Sequence, residues 1–135
     1  CIKKAIDDAA ISMDEIDLIS GHLTATYADS IEIEAWSNAL NRKKENFPYI
    51  NSLKSMTGHC LAAAGSIESI AVVQQLHDGF IHPSINCDSI HPEILNFLNP
   101  NKIPNKLITK NINYVAKANF GFGDINTCLI FKKYK

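Results

Sequence analysis

The chain has 135 residues, of which 46% are apolar and 20% are charged, and its formal net charge is −1. This composition is typical of one globular domain that is long enough to bury a hydrophobic core. The charge balance provides no basic surface for nucleic acid, and no apolar run approaches the roughly 20 residues that a membrane-spanning helix needs.

The four cysteines, Cys1, Cys60, Cys87 and Cys128, are spread along the chain without a Cys-x-x-Cys pair. This spacing argues against a zinc site, so we expect no bound metal. Four scattered cysteines in a chain with a large apolar content indicate reduced thiols and a cytoplasmic protein. The first residues lack an initiating Met and already follow a helical pattern, so we expect the chain to be part of a longer protein.

Helices and strands alternate along the first part of the chain. The apolar spacing predicts a helix over residues 2–11, a strand over 17–20, a helix from Asp29 or Ser30 to about 41, a strand over 48–52 and a helix over about 60–77. The last helix is apolar around most of its circumference, so we expect it to be buried. Its C-terminal end is marked by the pair Asp78-Gly79.

The second part of the chain has a weaker pattern. Residues 80–86 form a short extended segment, and residues 87–111, with three prolines, predict a long loop. Two strands over 113–119 and 126–131, joined by a glycine-rich turn, predict an antiparallel pair. The whole order predicts an α/β layered domain with a mixed sheet of about five strands around a buried central helix.

The topology brings two histidines to one edge of this sheet. Crossovers between parallel strands are right-handed, so the loops that follow such strands open on the same edge. His22 follows the first predicted strand, while Lys54 and His59 follow the second. We therefore expect all three side chains at one sheet edge.

Each histidine has a catalytic and a structural interpretation. His22, followed by Thr24 and Thr26, is suited to act as a general base or hydrogen-bond donor, or else to bridge loop carbonyls. His59 lies at a helix start, where the helix dipole disfavours the imidazolium ion. A neutral ring there can donate a hydrogen bond to a carbonyl or enolate oxygen; the alternative is a packing residue.

Neighbouring residues qualify these interpretations. Cys60 occupies a helix start, where the pKa of a thiol can fall. It is adjacent to His59 in the sequence, however, so the two side chains diverge around the helix. We therefore interpret Cys60 as a small packing residue. Glu68 falls on the predicted buried helix and needs a cationic partner, for which we predict Lys54; otherwise Glu68 faces solvent. We expect the remaining histidines at the surface, without metal: His77, His82 and His91.

The turn between the last two strands has a composition suited to a binding loop. Glycines on both sides of Phe122 allow its backbone N–H to approach a ligand, and the ring can act as a gate. The alternative is a tight hairpin turn with no further role.

Taken together, these segments resemble the C-terminal half of a β-ketoacyl-[acyl-carrier-protein] synthase, a condensing enzyme of the thiolase fold. The family has a His-Gly-Thr-x-Thr loop, seen here at 22–26, and a Lys-x-x-x-Gly-His-x-x-x-Ala-Ala-Gly block with a following Glu, seen at 54–65 with Glu68. An Asp-Gly-x-Ile-x-Pro-(Ser/Thr)-Ile-Asn stretch lies at 78–86, and the Phe-Gly-Phe-Gly loop lies within 118–126. The resemblance covers nearly the whole chain, in the family's order, as one C-terminal domain over 1–135.

The resemblance implies roles for these residues. His22 and His59 would polarise a malonyl thioester and stabilise the enolate formed on decarboxylation, while Lys54 and Glu68 would hold this constellation. Thr24 and Thr26 would support it. Oxyanion-hole and gating roles would fall on the loop residues Phe120, Gly121, Phe122 and Gly123.

The resemblance also implies partners. The nucleophilic cysteine of the family belongs to an N-terminal lobe, and none of the four cysteines in this sequence matches it. Substrates would be carried on the phosphopantetheine of an acyl carrier protein, with no other cofactor. The complete protein would form a homodimer or a heterodimer. This chain alone would be inactive and would expose an apolar face where the N-terminal lobe packs.

Two departures from the family pattern suggest an alternative function. Leu23 and Asp124 replace glycines that are usual in the family, adding bulk after the first histidine and a charge in the gating loop. A non-catalytic partner subunit resembling a chain-length factor is the alternative. Retention of both histidines favours the enzyme. A third interpretation is a condensing enzyme that uses coenzyme A.

Overall fold

The structure, a computed structural model that describes residues 1–134, contains the predicted helices and strands in their predicted order. It also contains a short helix over Lys54–Thr57 and a short strand over Ile108–Thr109, both of which were predicted as loop. The helices and strands are α1 (Ile2–Asp8), β1 (Leu18–Ser20), α2 (Ala28–Leu40), β2 (Tyr49–Asn51), α3 (Lys54–Thr57), α4 (Ala64–Asp78), β3 (Phe80–Ile81), β4 (Ile108–Thr109), β5 (Tyr114–Gly121) and β6 (Ile125–Lys132). Short 3₁₀ turns lie at Met13–Glu15, Leu61–Ala63, Ile94–Asn96 and Pro100–Lys102.

A mixed four-stranded sheet forms the centre of the domain, in the order β2-β1-β5-β6. Strand β1 is parallel to both β2 and β5, and β6 is antiparallel to β5, which confirms the predicted final hairpin. Ser20 pairs with Asn51 on one side and with Lys117 on the other. Because the parallel strands end together, the loops after β1 and β2 open on one edge, as predicted.

The remaining two strands form a separate antiparallel pair, β3-β4. The mixed sheet therefore has four strands rather than about five, and the segment 87–111, predicted as a loop throughout, contains β4 and two 3₁₀ turns. A strand of two residues is too short for alternation of apolar and polar side chains to reveal it in the sequence.

Alternation along β5 supplies side chains to both faces of the sheet. Ala116 and Ala118 belong to the core shared with α1 and α2, whereas Val115 packs with Val72 and Leu76 of α4. Lys117, with the same parity as Val115, therefore faces α4. The layers are α1 and α2, the sheet, and α4, in agreement with the predicted α/β architecture.

Helix α4 begins at Ala64 rather than near residue 60, and a 3₁₀ turn precedes it. Only one of its faces is buried, so the expectation of burial around the whole helix is corrected. Ile67, Ile70 and Val73, on the opposite face, are 37%, 61% and 52% exposed. The helix is apolar on two faces and this chain covers one of them, which confirms the predicted exposed apolar face.

Candidate active site

The two predicted histidines meet at the edge of the sheet where β1 and β2 end. His22 follows β1 by two residues, and His59 follows α3, which Lys54 begins. Gly58 turns the chain between α3 and His59 with φ 71° and ψ −178°, a conformation that is essentially restricted to glycine. The ring centroids of His22 and His59 are 5.3 Å apart and the ring planes are inclined by 80°, so the predicted convergence is confirmed.

The half-buried His22 ring is held in the uncharged state by its surroundings. Its pKa is lowered from 6.5 to about 4, mainly by burial and also by the positive charges of Lys54, of a protonated His59 and of Lys117, while Glu68 opposes them. His22 is therefore a neutral imidazole at pH 7, which can donate a hydrogen bond without carrying a charge.

The His59 ring makes a hydrogen bond within its own turn. Its Nδ1 accepts a hydrogen bond from the backbone N–H of Leu61 at 3.0 Å, so the single proton of the neutral ring lies on Nε2. Leu61 has a φ of 48°, which is uncommon for a residue other than glycine. This contact within the turn selects the tautomer of an uncharged His59 ring. His59 does not lie at the start of α4 as predicted, because α4 begins five residues later, at Ala64.

Lys54 and Glu68 form the predicted ion pair, and Glu68 does not face solvent. Their side chains are buried, and Lys54 Nζ donates to Glu68 Oε1. A second ammonium group, Lys117 Nζ, lies 2.5 Å from Glu68 Oε2. Burial raises the pKa of the Glu68 carboxyl, but the hydrogen bonds from the two lysines outweigh it and hold this pKa below its usual value.

Lys117 was missed in the sequence interpretation. Its side chain is 1% exposed and lies in the middle of the apolar strand β5. A lysine flanked by Ala116 and Ala118 in such a strand is the signal that could have identified it, because a buried charge needs a partner.

Glu32 of α2 is a second residue that was missed. Its buried carboxylate accepts the backbone N–H groups of His22 at 2.8 Å and of Leu23 at 2.9 Å, and the indole N–H of Trp36 at 3.2 Å. Burial raises the pKa of Glu32, while these three donors counteract the rise. The carboxylate thus fixes the backbone that carries His22.

Thr24 and Thr26 lie together in the loop after His22, with their hydroxyl oxygens 3.2 Å apart. Asp29 accepts the backbone N–H of Thr24 at 2.9 Å and that of Ala25 at 3.1 Å. Asp29 was predicted as a possible cap of α2, but α2 begins at Ala28 without a side-chain cap. Asp29 holds the threonine loop instead.

A cavity of about 790 Å³ opens beside His59. Its lining includes the polar residues Thr24, Thr26, Lys54 and His59, together with apolar residues such as Ile94. This volume lies in the range of sites that bind small molecules or cofactor arms.

The glycine-rich hairpin contributes one aromatic ring to the site, and it belongs to Phe120. The centroids of the Phe120 and His22 rings are 6.1 Å apart. Phe122 lies at the tip of the turn between Gly121 and Gly123 with its side chain 95% exposed, and it does not meet the histidines in this chain. The predicted oxyanion-hole and gating roles of this loop stay predictions.

His82 is buried, so its predicted surface position is wrong. Its backbone N–H donates to Gln75 Oε1 at 3.0 Å, and its ring Nδ1 lies 2.9 Å from the carbonyl oxygen of Pro83. The pairing of β3 with β4 and the packing of α4 enclose this segment, and burial lowers the pKa of His82. His77 and His91 are exposed, as predicted.

The four cysteines are free thiols. Cys60 is half-buried, and its Sγ lies 3.7 Å and 3.8 Å from the carbonyl oxygens of Thr57 and Gly58. Within residues 1–134, no cluster of three His, Cys, Asp or Glu side chains is arranged to hold a metal ion. In the same part of the chain, no helix has the length and apolar character required to cross a bilayer.

Comparison with known proteins gives consistent results. Residues 1–88 match the family described as "Beta-ketoacyl synthase, C-terminal domain". The chloroplastic 3-oxoacyl-[acyl-carrier-protein] synthase I of Arabidopsis thaliana is 36% identical over 136 aligned positions, which cover 100% of this chain and 28% of the plant protein.

Two solved structures share the fold. The ishigamide ketosynthase/chain length factor aligns with a TM-score of 0.89 and 31% identity, covering 99% of this chain and 32% of that one. A type II polyketide ketosynthase in complex with its acyl-carrier protein aligns with a TM-score of 0.85 and 33% identity, covering 100% and 32%. The chain therefore spans less than a third of the proteins that it resembles.

Proposed function

We propose a function for this chain from the premise that it belongs to the beta-ketoacyl synthase C-terminal domain family. The chain is the C-terminal lobe, over residues 1–135, of a 3-oxoacyl-[acyl-carrier-protein] synthase. The complete protein catalyses decarboxylative Claisen condensation of malonyl and acyl thioesters in fatty-acid or polyketide-type synthesis.

The observation that carries this proposal is the pair of imidazoles, His22 and His59, whose ring centroids are 5.3 Å apart and of which His59 lines the cavity. Loss of CO₂ from a malonyl thioester breaks a carbon–carbon bond and leaves its electron pair in an enolate, with negative charge on the thioester oxygen. Neutral N–H donors stabilise that oxygen in the transition state without first attracting the carboxylate of the substrate. The enolate carbon then attacks the acyl thioester, and the sulfur leaves as a thiolate.

The buried ion pair between Lys54 and Glu68 belongs to the same site, because both charges act on His22. Lys54 lines the cavity and is held by Glu68, so its ammonium group has a fixed position in the site. Its charge helps to keep His22 uncharged. Thr24 and Thr26 line the same cavity and are suited to bind the polar amide groups of a phosphopantetheine arm.

The partners follow from the surface that the chain leaves open. The exposed stripe Ile67, Ile70 and Val73 on α4 is the contact for the N-terminal lobe, which supplies the nucleophilic cysteine. The related polyketide ketosynthase was solved with an acyl-carrier protein, which supports a carrier-protein substrate here. A homodimer or heterodimer and a cytoplasmic location stay predictions; the Arabidopsis relative is chloroplastic.

The test uses the complete protein that carries this chain and measures CO₂ release from malonyl-[acyl-carrier protein]. His22→Ala and His59→Ala should each lower kcat by about 10²–10⁴-fold, the usual contribution of a positioned proton donor or acceptor. Cys60→Ala should retain the activity of the parent protein. Full activity in both histidine variants would contradict the proposal.

The alternative is a non-catalytic subunit that resembles a chain-length factor. Its support is the structural likeness to a ketosynthase/chain length factor, together with Leu23 and Asp124 in place of usual glycines. CO₂ release and the residue at the position of the nucleophilic cysteine distinguish the two functions. If the complete protein, purified alone, releases no CO₂ and its upstream sequence has Gln in place of the nucleophilic cysteine, the alternative is correct.

A further inference from the structure

Lys117 is a buried ammonium group whose three protons all have acceptors. Its Nζ lies 2.5 Å from Glu68 Oε2, 2.7 Å from the carbonyl oxygen of Ala118 and 2.7 Å from Asn119 Oδ1. An ammonium group has three donors and no acceptor, so this set of oxygens suits the charged form. Burial lowers the pKa of Lys117, and Glu68 counteracts that effect.

The Lys117 ammonium fixes the orientation of the Asn119 side-chain amide. Because Lys117 can only donate, Asn119 must turn its Oδ1 toward it, and its Nδ2 then points the other way. That Nδ2 donates to Glu68 Oε2 at 3.2 Å and lies 3.4 Å from Nδ1 of His22. A donor that faces Nδ1 favours the tautomer of His22 that has its proton on Nε2.

The packing of β5 on α4 makes room for this arrangement. Lys117 and Asn119 are two residues apart on β5 and lie against the turn of α4 that carries Glu68 and Gly65. A Cβ atom added to Gly65 would lie 3.4 Å from Asn119 Oδ1, so the amide packs closely against the backbone of α4 at this glycine. Ser20 pairs with Lys117, and continuing this register by two residues brings His22 beside Asn119.

The charged groups around His22 come from several elements. Lys54 of α3, Lys117 of β5 and the imidazole of His59 disfavour a positive charge on the ring, and Glu68 of α4 favours one. Glu32 of α2 binds the backbone N–H of His22 rather than its ring. With two lysines against one carboxylate, the cluster beneath the ring has an excess of one positive charge.

We propose that Lys117 and Asn119 are positioning residues, which hold His22 neutral with its proton on Nε2, ready to donate to the substrate oxygen. Neither touches the reacting atoms; Lys117 acts through Asn119, and Asn119 acts through the Nδ1 atom of His22. This inference rests on the proposed function for its catalytic meaning. The tautomer itself can be observed whether or not the protein catalyses condensation.

The test is ¹⁵N NMR of the complete protein labelled on histidine, with the His22 signals assigned by their loss in His22→Asn. In the parent protein we expect a protonated Nε2 and an unprotonated Nδ1. Asn119→Asp keeps the Lys117 contact but presents an acceptor to Nδ1, so the proton should move to Nδ1. Lys117→Met should mix the two tautomers and raise the pKa of His22 slightly above about 4, because burial, the main cause of the low pKa, remains.

Lys132→Met is the matched control, since it removes an exposed lysine from the neighbouring strand β6 and should leave His22 unchanged. Unchanged His22 signals in folded Asn119→Asp would overturn the proposal, and this variant decides the outcome if Lys117→Met does not fold. CO₂ release adds an independent readout: kcat should fall about tenfold in Asn119→Asp with KM nearly constant. If the parent protein releases no CO₂, the proposed function fails and the NMR result still decides the tautomer.

Discussion

Glu68 Oε2 lies 2.5 Å from Lys117 Nζ, and both side chains are almost completely buried. Since Lys54 occupies the other carboxylate oxygen, one negative charge lies between two positive charges in the interior, and the cluster has an excess of one positive charge. Such a cluster contributes little net stability over an apolar core, but loss of one partner leaves a buried charge without compensation.

Glu68→Gln should therefore lower the free energy of unfolding by about 3–5 kcal/mol. The double variant Glu68→Gln with Lys117→Met should be more stable than the sum of the single effects predicts, because it removes one of the uncompensated charges. Urea denaturation of the three variants measures this coupling. Glu34→Gln, at an exposed position of α2, is the control and should be nearly neutral. Additive effects in the cycle would show that Glu68 and Lys117 are not coupled.

Stability should fall as the pH is lowered from 6.5 to about 4, because the unfolded chain protonates His22 in this window and the folded chain does not. His82 contributes in the same direction, since burial lowers its pKa. The pKa of Glu68 is lower in the folded chain than in the unfolded chain. Glu68 therefore stabilises the fold above the unfolded-state pKa, and this stabilisation is lost as the pH falls through the folded-state pKa. His22→Asn should make the decline shallower.

Denaturation midpoints at several pH values across this window measure the effect. His91→Asn removes an exposed histidine and should leave the pH dependence unchanged. Parallel curves for His22→Asn and the parent chain would mean that folding does not lower the pKa of His22.

Gly58→Ala should destabilise the chain by about 1–3 kcal/mol, because φ 71° with ψ −178° is costly for any residue with a Cβ atom. The space around Gly58 is open, so the cost comes from the backbone alone. Relief of this strain would shift His59, which follows directly, and lower kcat. Gly79→Ala is the comparison, as Gly79 also has a positive φ of 72° but lies at the far end of α4.

Thermal unfolding and CO₂ release, each measured for Gly58→Ala and Gly79→Ala, distinguish the roles of the two glycines. We expect both variants to lose stability and only Gly58→Ala to lose activity. Equal kcat values in the two variants would show that Gly58 has no part in placing His59.

The exposed stripe of α4 should make this chain associate when it is produced alone. Ile70→Glu places a charge on the most exposed isoleucine of the stripe, 61% exposed, and should reduce association in sedimentation experiments. The same substitution in the complete protein should prevent the two lobes from packing. Leu107→Glu, at a position that is 60% exposed outside the stripe, is the matched control. Monomeric behaviour of the unsubstituted chain would contradict the prediction.

Local sequence patterns were sufficient for the order of the elements and for much of the site. The strands before His22 and Lys54, together with the handedness of parallel crossovers, placed both histidines at one edge. The need of a buried carboxylate for a cation identified Lys54 as the partner of Glu68. These inferences succeeded because each depends on neighbouring residues or on a general rule of chain topology.

Other features depend on contacts between distant segments. The burial of His82 requires β3 to pair with β4, and the choice of Phe120 over Phe122 as the ring beside His22 depends on where the hairpin turns. The periodicity of apolar residues indicates which face of a helix or strand is buried. It does not indicate which residues of other segments that face contacts.

The sequence alone determined that this chain is an α/β lobe with His22, His59, Lys54 and Glu68 at one sheet edge. The tertiary structure decided what lies beneath them. Lys117 reaches Glu68, and Asn119 reaches His22, only because β5 pairs beside β1 in the register Ser20 to Lys117 and packs on α4. Register between strands almost 100 positions apart is set by the packing of whole faces, which no local pattern in the chain encodes.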